Sequence, residues 1–234
     1  MKKTSPDKKY YEGEAVNKPL WGSLREVALA DNILSLLPRI GPDASVIDIG
    51  CGDGFLADNL KKYSQKTIFF DLSFQRLKNT ESNTGQHRLV NGDITLLPFK
   101  NNSFDLVICS EVLEHIPEYP KAMEELARIA RGAVIITVPY RQVPVPIHCP
   151  QCSHEFCLSG HINYFSGNEL AEIFLNNGFR PKIRHFHTIY SYNWLTLKLH
   201  RQARIFFDGL LLFFSGLISF LKPNYVAIAA KKRD

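Results

Sequence analysis

Apolar residues in this 234-residue chain occur in short runs that alternate with amphipathic segments. Runs rich in β-branched and aromatic residues predict strands, and apolar residues at helical spacing predict helices. The predicted strands are residues 46–49, 67–71, 87–91, 103–109, 132–138, 182–190 and 224–230. The predicted helices are residues 23–37, 55–63, 73–80, 119–130 and 166–177.

The alternation of strands and helices predicts the fold class. Strands joined through helices need crossover connections, which are right-handed and build a parallel sheet with helices on both faces. We therefore expect an α/β fold with a doubly wound sheet that binds ligands at the carboxyl ends of its strands. A chain of 234 residues can bury one substantial core, so residues 1–234 are interpreted as a single domain. The polar residues 1–20 are interpreted as a flexible N-terminal arm.

Local signals predict several element boundaries. Arg131 and Gly132 are typical of a helix end before a strand. Ser166, followed three residues later by Glu169, predicts a capping box at the start of a helix. Asp105 is interpreted as structural, because it lies at the beginning of a strand and not at its carboxyl end.

A glycine-rich turn follows the first predicted strand, residues 46–49. Gly50, Gly52 and Gly54 permit positive φ and close approach of the backbone to a ligand. The helix that follows, from residue 55, directs its first N–H groups back toward the turn. The pattern predicts a ligand-binding turn, although dinucleotide enzymes use a similar glycine motif in the same place.

Four carboxylates accompany the turn and the next strands. Asp48 and Asp53 flank the glycines, Asp71 ends the second strand, and Asp93 follows the third. Four acids around one crevice would repel a pyrophosphate, whereas they suit a ligand with an ammonium, a sulfonium and two ribose hydroxyls. Asp48, Asp71, Asp93 and Ser110 all lie at predicted carboxyl ends of strands, so the crevice favours a cationic nucleoside.

These segments resemble the class I S-adenosylmethionine-dependent methyltransferases. Within that class, they resemble the type 11-like enzymes that methylate small molecules. The four matching motifs occur in the expected order at residues 46–54, 69–73, 91–99 and 104–116. The resemblance implies S-adenosylmethionine as cofactor and S-adenosylhomocysteine as product. It also implies a Rossmann-like methyltransferase fold, with a mostly parallel seven-stranded sheet and an antiparallel last strand.

The resemblance assigns roles to motif residues. It implies that Gly50 to Gly54 and Asp48 hold the methionyl part, Asp71 the ribose hydroxyls and Asp93 the adenine amino group. It implies that Ser110 and Glu111 line the ligand beyond strand four. The full cofactor-binding set is Asp48, Gly50, Cys51, Gly52, Gly54, Asp71, Leu72, Asp93, Ile94, Ser110 and Glu111.

Methyl transfer from a sulfonium is an in-line displacement in which the protein chiefly aligns the acceptor at about 3–3.5 Å and excludes water. No single catalytic residue is therefore required. An oxygen or nitrogen acceptor can need a base, for which the candidates by position are Glu114, His115, His161 and Tyr164. Packing and support of neighbouring groups are the alternative roles for these four side chains.

A Cys/His-rich insert spans residues 140–165, where no helix or strand is predicted. Cys149, Cys152, Cys157 and His161 have the spacing C-x2-C-x4-C-x3-H, and the first pair can reach one tetrahedral ion. A structural zinc would give the loop rigidity. The alternative interpretation is reduced thiols in a substrate loop. His148 and His154 compete with His161 as the fourth ligand.

An apolar helix is predicted at residues 193–222, before the last strand. Residues 205–221 contain twelve apolar residues in seventeen, but Asp208 lies among them and the length is marginal for a bilayer. Residues 201–222 place polar side chains on one narrow stripe. The segment has four alternative interpretations: contact with a membrane surface, a lid over an apolar acceptor, a dimer surface, and packing on the domain itself.

The net charge of +5 is concentrated in lysines and arginines near the two ends of the chain. Such tails are typically solvated, so no nucleic-acid partner is expected. No apolar segment follows the first lysines, so we expect a cytoplasmic protein, with peripheral attachment to the inner membrane face as an option. The predicted function is methyl transfer to a small-molecule or lipid-like acceptor. A non-catalytic nucleoside-binding scaffold and a nicotinamide-dependent reductase are the alternatives.

Overall fold

A computed structural model describes residues 24–143, 146–148, 155–157, 160–186 and 225–233. Several predictions lie partly or wholly outside these ranges: the arm at residues 1–20, the candidate ligands Cys149, Cys152 and His154, the end of the strand predicted at residues 182–190, and the apolar segment at residues 193–222. All the cofactor-binding residues predicted from the four motifs lie within them.

Five helices and nine strands occur in the described ranges. The helices are α1 (Leu24–Ser35), α2 (Ala57–Tyr63), α3 (Phe74–Thr84), α4 (Tyr119–Ile129) and α5 (Asn168–Asn176). The strands are β1 (Ser45–Ile49), β2 (Lys66–Asp71), β3 (Leu89–Asn91), β4 (Phe104–Ser110), β5 (Ala130–Pro139), β6 (Pro146–His148), β7 (Glu155–Cys157), β8 (Phe179–Phe186) and β9 (Tyr225–Lys232). A short 3-10 turn, Leu113–His115, follows β4.

Seven of the strands form one sheet in the order β3-β2-β1-β4-β5-β9-β8. Strands β1 to β5 run parallel to one another. Strand β9 lies antiparallel between β5 and β8. This arrangement confirms the predicted Rossmann-like, mostly parallel seven-stranded sheet with an antiparallel last strand.

Two apolar layers cover the sheet, because residues of alternating position along each strand face opposite sides. In β1, Ile47 and Ile49 join the layer that includes Met123 of α4 and Phe174 of α5. Val46 joins the other layer, with side chains from α1, α2 and α3. Burial of both faces explains why the strands appear as continuous apolar runs in the sequence. The parallel direction of β1 to β5 brings their carboxyl ends to one common edge.

The two boundaries predicted from local signals at Arg131–Gly132 and at Ser166 are wrong. Helix α4 ends at Ile129, and Arg131 and Gly132 lie inside β5. A Cβ at Gly132 would lie 2.5 Å from the carbonyl oxygen of Asp105, so close packing of β4 and β5 accounts for this glycine. The N-cap of α5 is Gly167, not Ser166. The Glu169 carboxylate nevertheless accepts hydrogen bonds from Ser166 N–H at 2.7 Å and Ser166 Oγ at 2.6 Å.

The Cys/His-rich insert contains secondary structure that the sequence did not indicate. Strands β6 and β7 pair antiparallel, with Pro146 opposite Cys157 and His148 opposite Glu155. Backbone hydrogen bonds therefore order part of a segment for which a metal was the only predicted source of rigidity. Across the described ranges, no helix has the length and apolar content needed to cross a membrane.

Candidate active site

A cavity of about 230 Å³ opens at the carboxyl edge of strands β1 to β4. Eight residues predicted from the sequence line it, namely Gly50, Gly52, Asp71, Leu72, Asp93, Ile94, Glu111 and His115. Six others that the sequence did not single out complete the wall, namely Ile49, Phe70, Arg76, Gly92, Val112 and Ile116. The parallel topology thus brings four separate motifs to one cavity.

The glycine turn forms one wall by backbone geometry. Gly50 has φ of 74°, in the left-handed region, and its N–H donates to the Phe70 carbonyl at 2.7 Å. A Cβ at Gly50 would lie 2.2 Å from Cγ2 of Val112. Only glycine satisfies both requirements, so the turn can lie directly against the cavity and against the segment after β4.

Asp71 ties the end of β2 to the glycine turn. Its Oδ2 accepts a hydrogen bond from Gly52 N–H at 2.9 Å, and its Oδ1 accepts one from Ser73 N–H at 2.8 Å. Burial raises the pKa of this carboxyl, and the two backbone hydrogen bonds oppose that rise. Each oxygen retains lone-pair capacity, so Asp71 can accept further hydrogen bonds from a ligand in the cavity.

Asp48 lies in β1 behind the turn and does not line the cavity. It is 1% exposed, and its Oδ2 has no hydrogen-bond partner among the described residues. Burial, together with the charge of Asp71, raises the pKa of Asp48 to about 7. Its carboxyl can therefore act on a cation in the cavity only through the electric field of its ionised form.

The third and fourth motifs supply the opposite wall. Asp93 is exposed, and its Oδ1 accepts hydrogen bonds from Thr95 N–H at 2.8 Å and Thr95 Oγ1 at 2.9 Å. Asn91 Nδ2 donates to the Asp71 carbonyl at 2.9 Å and the Leu72 carbonyl at 2.8 Å. These bonds fix the two loops relative to each other, with the side chain of Ile94 between Asp93 and the core.

Glu111 reaches the cavity from an uncommon backbone conformation. It has φ of 59°, and its N–H donates to the Thr137 carbonyl at 3.0 Å. A left-handed conformation in a residue with a Cβ costs about 1–2 kcal/mol, which the surrounding strand ends must offset. Ser110, its neighbour, is buried and bonds to Thr137 Oγ1 at 2.7 Å, outside the cavity wall.

Arg76 corrects the expectation of four acids around one crevice. It lines the cavity from α3, and its Nη1 lies 3.5 Å from Oδ2 of Asp53. Asn79 Nδ2 donates to the other oxygen of Asp53 at 3.0 Å. Asp53 is thus paired with α3 instead of facing the ligand space, and the acids that line the cavity are Asp71, Asp93 and Glu111.

The four candidate bases are distributed unequally. His115 lines the cavity, and burial lowers its pKa to about 4, so its imidazole is neutral near pH 7. A carboxylate oxygen of Glu114 and a ring nitrogen of His161 lie within 4.8 Å of a ring nitrogen of His115. Tyr164 is outside the cavity wall, and its hydroxyl donates to the His161 carbonyl at 3.0 Å. Burial and contact with Cys157 raise the pKa of Tyr164 to about 12.

The remaining predicted residues that the structure describes do not line the cavity. Cys51 and Gly54 belong to the glycine turn and are buried. Cys157 ends β7, four residues before His161, while Cys149 and Cys152 lie outside the described residues. The proposed zinc set can therefore not be assembled from the described residues.

Comparison with known proteins identifies the family. Residues 21–182 match the family model described as a methyltransferase domain. The chain is 40% identical to the uncharacterized protein MJ0638 of Methanocaldococcus jannaschii in an alignment of 98 residues, and this alignment covers 41% of each protein. The chain is 30% identical to human mitochondrial arginine-hydroxylase NDUFAF5 in an alignment of 159 residues, and this alignment covers 64% of this chain and 45% of that protein. The chain thus spans less than half the length of these two relatives.

Solved structures agree on the fold. A methyltransferase in complex with the Haloferax volcanii Trm112 methyltransferase activator superposes with a TM-score of 0.64, over 90% of each chain and at 17% identity. At this identity the likeness concerns the fold alone, whereas the family model covers more than half of the chain. The chain belongs to the methyltransferase-domain family, among the class I S-adenosylmethionine-dependent methyltransferases.

Proposed function

We propose that this protein transfers the methyl group of S-adenosylmethionine to a small-molecule or lipid-like acceptor by in-line displacement. The observation that carries the proposal is the single cavity in which the glycine turn, Asp71, Asp93 and Glu111 meet. Their carboxylates surround a space large enough for part of a nucleoside, with apolar walls that include Phe70 and Ile94. Such a mixture suits a cationic ligand with an aromatic base.

The chain's own residues fit the cofactor. The backbone at Gly50 and Gly52 has no Cβ facing the cavity, so the methionyl part can approach it closely. Asp71 would accept hydrogen bonds from the ribose hydroxyls, while Asp93 would accept one from the adenine amino group and Ile94 would pack on the ring. The ionised form of Asp48 would favour the positive charges of the ligand. When bound, S-adenosylmethionine supplies an electrophilic methyl group and its own leaving group.

On the acceptor side, the protein must align a nucleophile and keep water out. Glu111, Val112, His115 and Ile116 form the wall beyond the end of β4. His115 is neutral near pH 7, so it adds no positive charge beside the sulfonium. An acceptor that carries a proton would deliver it to a base in this wall, for which His115 is the candidate that lines the cavity.

The lipid-like class of acceptor is supported by the apolar sequence at residues 205–221. A segment with that composition can contact a membrane surface or an apolar substrate. Peripheral attachment on the cytoplasmic side of a membrane remains part of the proposal. The zinc set of Cys149, Cys152, Cys157 and His161 remains a prediction from spacing.

Calorimetric titration of the purified full chain with S-adenosylmethionine tests the proposal. We expect binding, and in Asp71→Asn at least tenfold weaker binding, because an amide presents one acceptor atom where the carboxylate presents two. The matched control is Asp105→Asn. Asp105 accepts from Ser45 N–H at 2.9 Å and from Arg131 at 2.7 Å, and it does not line the cavity. Binding of NAD in place of S-adenosylmethionine would contradict the proposal.

A second measurement concerns the acceptor class. The chain is incubated with S-adenosylmethionine carrying a radiolabelled methyl group, together with separate small-molecule, lipid, protein and RNA fractions of a cell extract. We expect the label in a small-molecule or lipid fraction, and no transfer by a chain that has lost cofactor binding. Label confined to protein or RNA would reject the proposed acceptor class while leaving cofactor binding intact.

A further inference from the structure

Three potential metal ligands meet at the acceptor side of the cavity. Glu114 and His115 lie on the 3-10 turn after β4, and His161 lies on the segment between β7 and α5. One ligand atom from each side chain lies within 4.8 Å of those of the other two. The two imidazole rings are in edge contact, with centroids 4.7 Å apart. A carboxylate and two imidazoles therefore face one small volume next to the cavity.

The backbone holds the two segments together independently of these side chains. The N–H groups of Ile162 and Asn163 both donate to the Glu114 carbonyl, at 2.8 Å and 3.1 Å. Asn163 Nδ2 donates to the carbonyls of Leu113, at 3.0 Å, and Ile116, at 2.7 Å. Four hydrogen bonds thus fix the position of His161 relative to the turn. Such preorganisation reduces the conformational entropy lost when all three side chains bind one ion.

The hydrogen bonds of the two imidazoles follow a pattern found in metal-binding histidines. His115 Nδ1 donates to the Gly160 carbonyl at 3.2 Å, and His161 Nδ1 donates to Oε1 of Gln142. Since each of these oxygens accepts, the proton of each neutral ring lies on Nδ1 and the lone pair lies on Nε2. Histidines that ligate metals characteristically anchor the other ring nitrogen on a carbonyl oxygen in this way.

The environment of Glu114 favours a cation. Glu114 is 1% exposed. An ionised carboxylate attracts a divalent cation more strongly in a buried environment than in water, because the local dielectric constant is lower. The carboxylate therefore supplies the charge and the two imidazoles supply the geometric selectivity of a metal site.

We propose that Glu114, His115 and His161 bind one divalent first-row transition metal ion, such as Zn²⁺ or Fe²⁺. Imidazole ligands favour these ions over Mg²⁺ and Ca²⁺, which take oxygen ligands. Three protein ligands leave coordination positions open, as in catalytic sites and unlike a closed structural site. This assignment goes beyond methyl transfer. It replaces the cysteine set predicted for His161, and with the ion bound His115 serves as a metal ligand and not as the base.

The test uses the full chain, freed of metal with a chelator and titrated with Co²⁺. We expect one equivalent to bind with ligand-field absorption bands and without a thiolate-to-cobalt charge-transfer band. Glu114→Gln and His161→Gln should each weaken binding at least tenfold. The matched control is His87→Gln, which alters another His–Glu pair. In that pair, His87 Nδ1 lies 2.8 Å from Oε1 of the exposed Glu81. That variant should bind Co²⁺ like the parent.

Two results would overturn the assignment. One is the absence of Co²⁺ binding by the parent chain. The other is binding with a thiolate band that is lost in Cys157→Ser and kept in Glu114→Gln, which would assign the ion to the cysteines. If Glu114→Gln does not fold, Co²⁺ binding by His161→Gln decides the outcome, because His161 is partly exposed. S-adenosylmethionine titration of the same samples separates this proposal from the methyl-transfer proposal, since each ligand is measured alone.

Discussion

Asp48 shows what burial beneath the glycine turn does to a single carboxyl group. Its pKa is about 7 in the folded protein against an ordinary 3.8, so between these pH values the folded state holds a proton that the unfolded state has lost. The contribution of Asp48 to stability therefore falls as pH rises through this interval. Asp48→Asn, which cannot ionise, should remove the fall.

Denaturant unfolding at about pH 4 and about pH 8 measures this effect. The parent chain should lose about 2–4 kcal/mol more unfolding free energy between the two pH values than Asp48→Asn, since one pKa unit corresponds to about 1.4 kcal/mol. Other titrating groups are the same in both proteins and cancel in the comparison. Equal losses in the two proteins would show that Asp48 has an ordinary pKa.

At the same scale, Asp71 and Asp93, which were predicted from strand ends, line the cavity, as does Glu111, which the family resemblance implied. Asp48 and Ser110 were also predicted from strand ends, but they do not line it. The parallel topology alone brings such residues to one edge. Arg76 was missed, and Asp53 was placed in the crevice, because their ion pair joins a helix to a turn. Nothing in residue spacing indicates which carboxylate a helix side chain will contact. The signal available was Arg76 in the first turn of a helix that begins three residues after Asp71.

Among the elements, the junction of α4 and β5 depends on the missing side chain of Gly132. A Cβ there would lie 2.5 Å from the Asp105 carbonyl oxygen in the neighbouring strand, and a backbone atom cannot rotate away. Gly132→Ala should therefore lower the unfolding free energy by about 1–3 kcal/mol, as overpacking does. The control is Gly41→Ala, where an added Cβ meets nothing within 4 Å. Equal urea midpoints for the two variants would contradict the packing argument.

The existence of these elements could be predicted, whereas some boundaries could not. Continuous apolar runs identified β1, β4 and β5, because both faces of the sheet are buried. Gly132 resembled a helix end because sequence shows only that a glycine is needed, and the contact with Asp105 that explains it is tertiary. Strands β6 and β7, at three residues each, are too short to show a period of two.

For the whole molecule, the path of the chain through the sheet constrains the segment between β8 and β9. Phe186 ends β8 and is paired with Tyr225, which begins β9. The intervening residues, 187–224, therefore leave and re-enter the sheet at neighbouring positions. A single membrane crossing within them would separate two strands that are hydrogen-bonded to each other. The remaining roles for the apolar residues 205–221 are therefore contact with a membrane surface, a lid over the acceptor, a dimer surface and packing on the domain, of which surface contact is the one proposed above.

Flotation with vesicles tests this interpretation. We expect the chain to float with anionic vesicles and to float several-fold less after Phe213→Glu and Phe214→Glu are combined, because two carboxylates oppose both apolar insertion and the anionic surface. Leu175→Glu, at a 45% exposed position on α5, is the matched control and should float like the parent. A parent chain that stays in the dense fraction would exclude surface attachment. Cofactor binding by all three proteins, measured on the same samples, separates loss of membrane contact from loss of the fold.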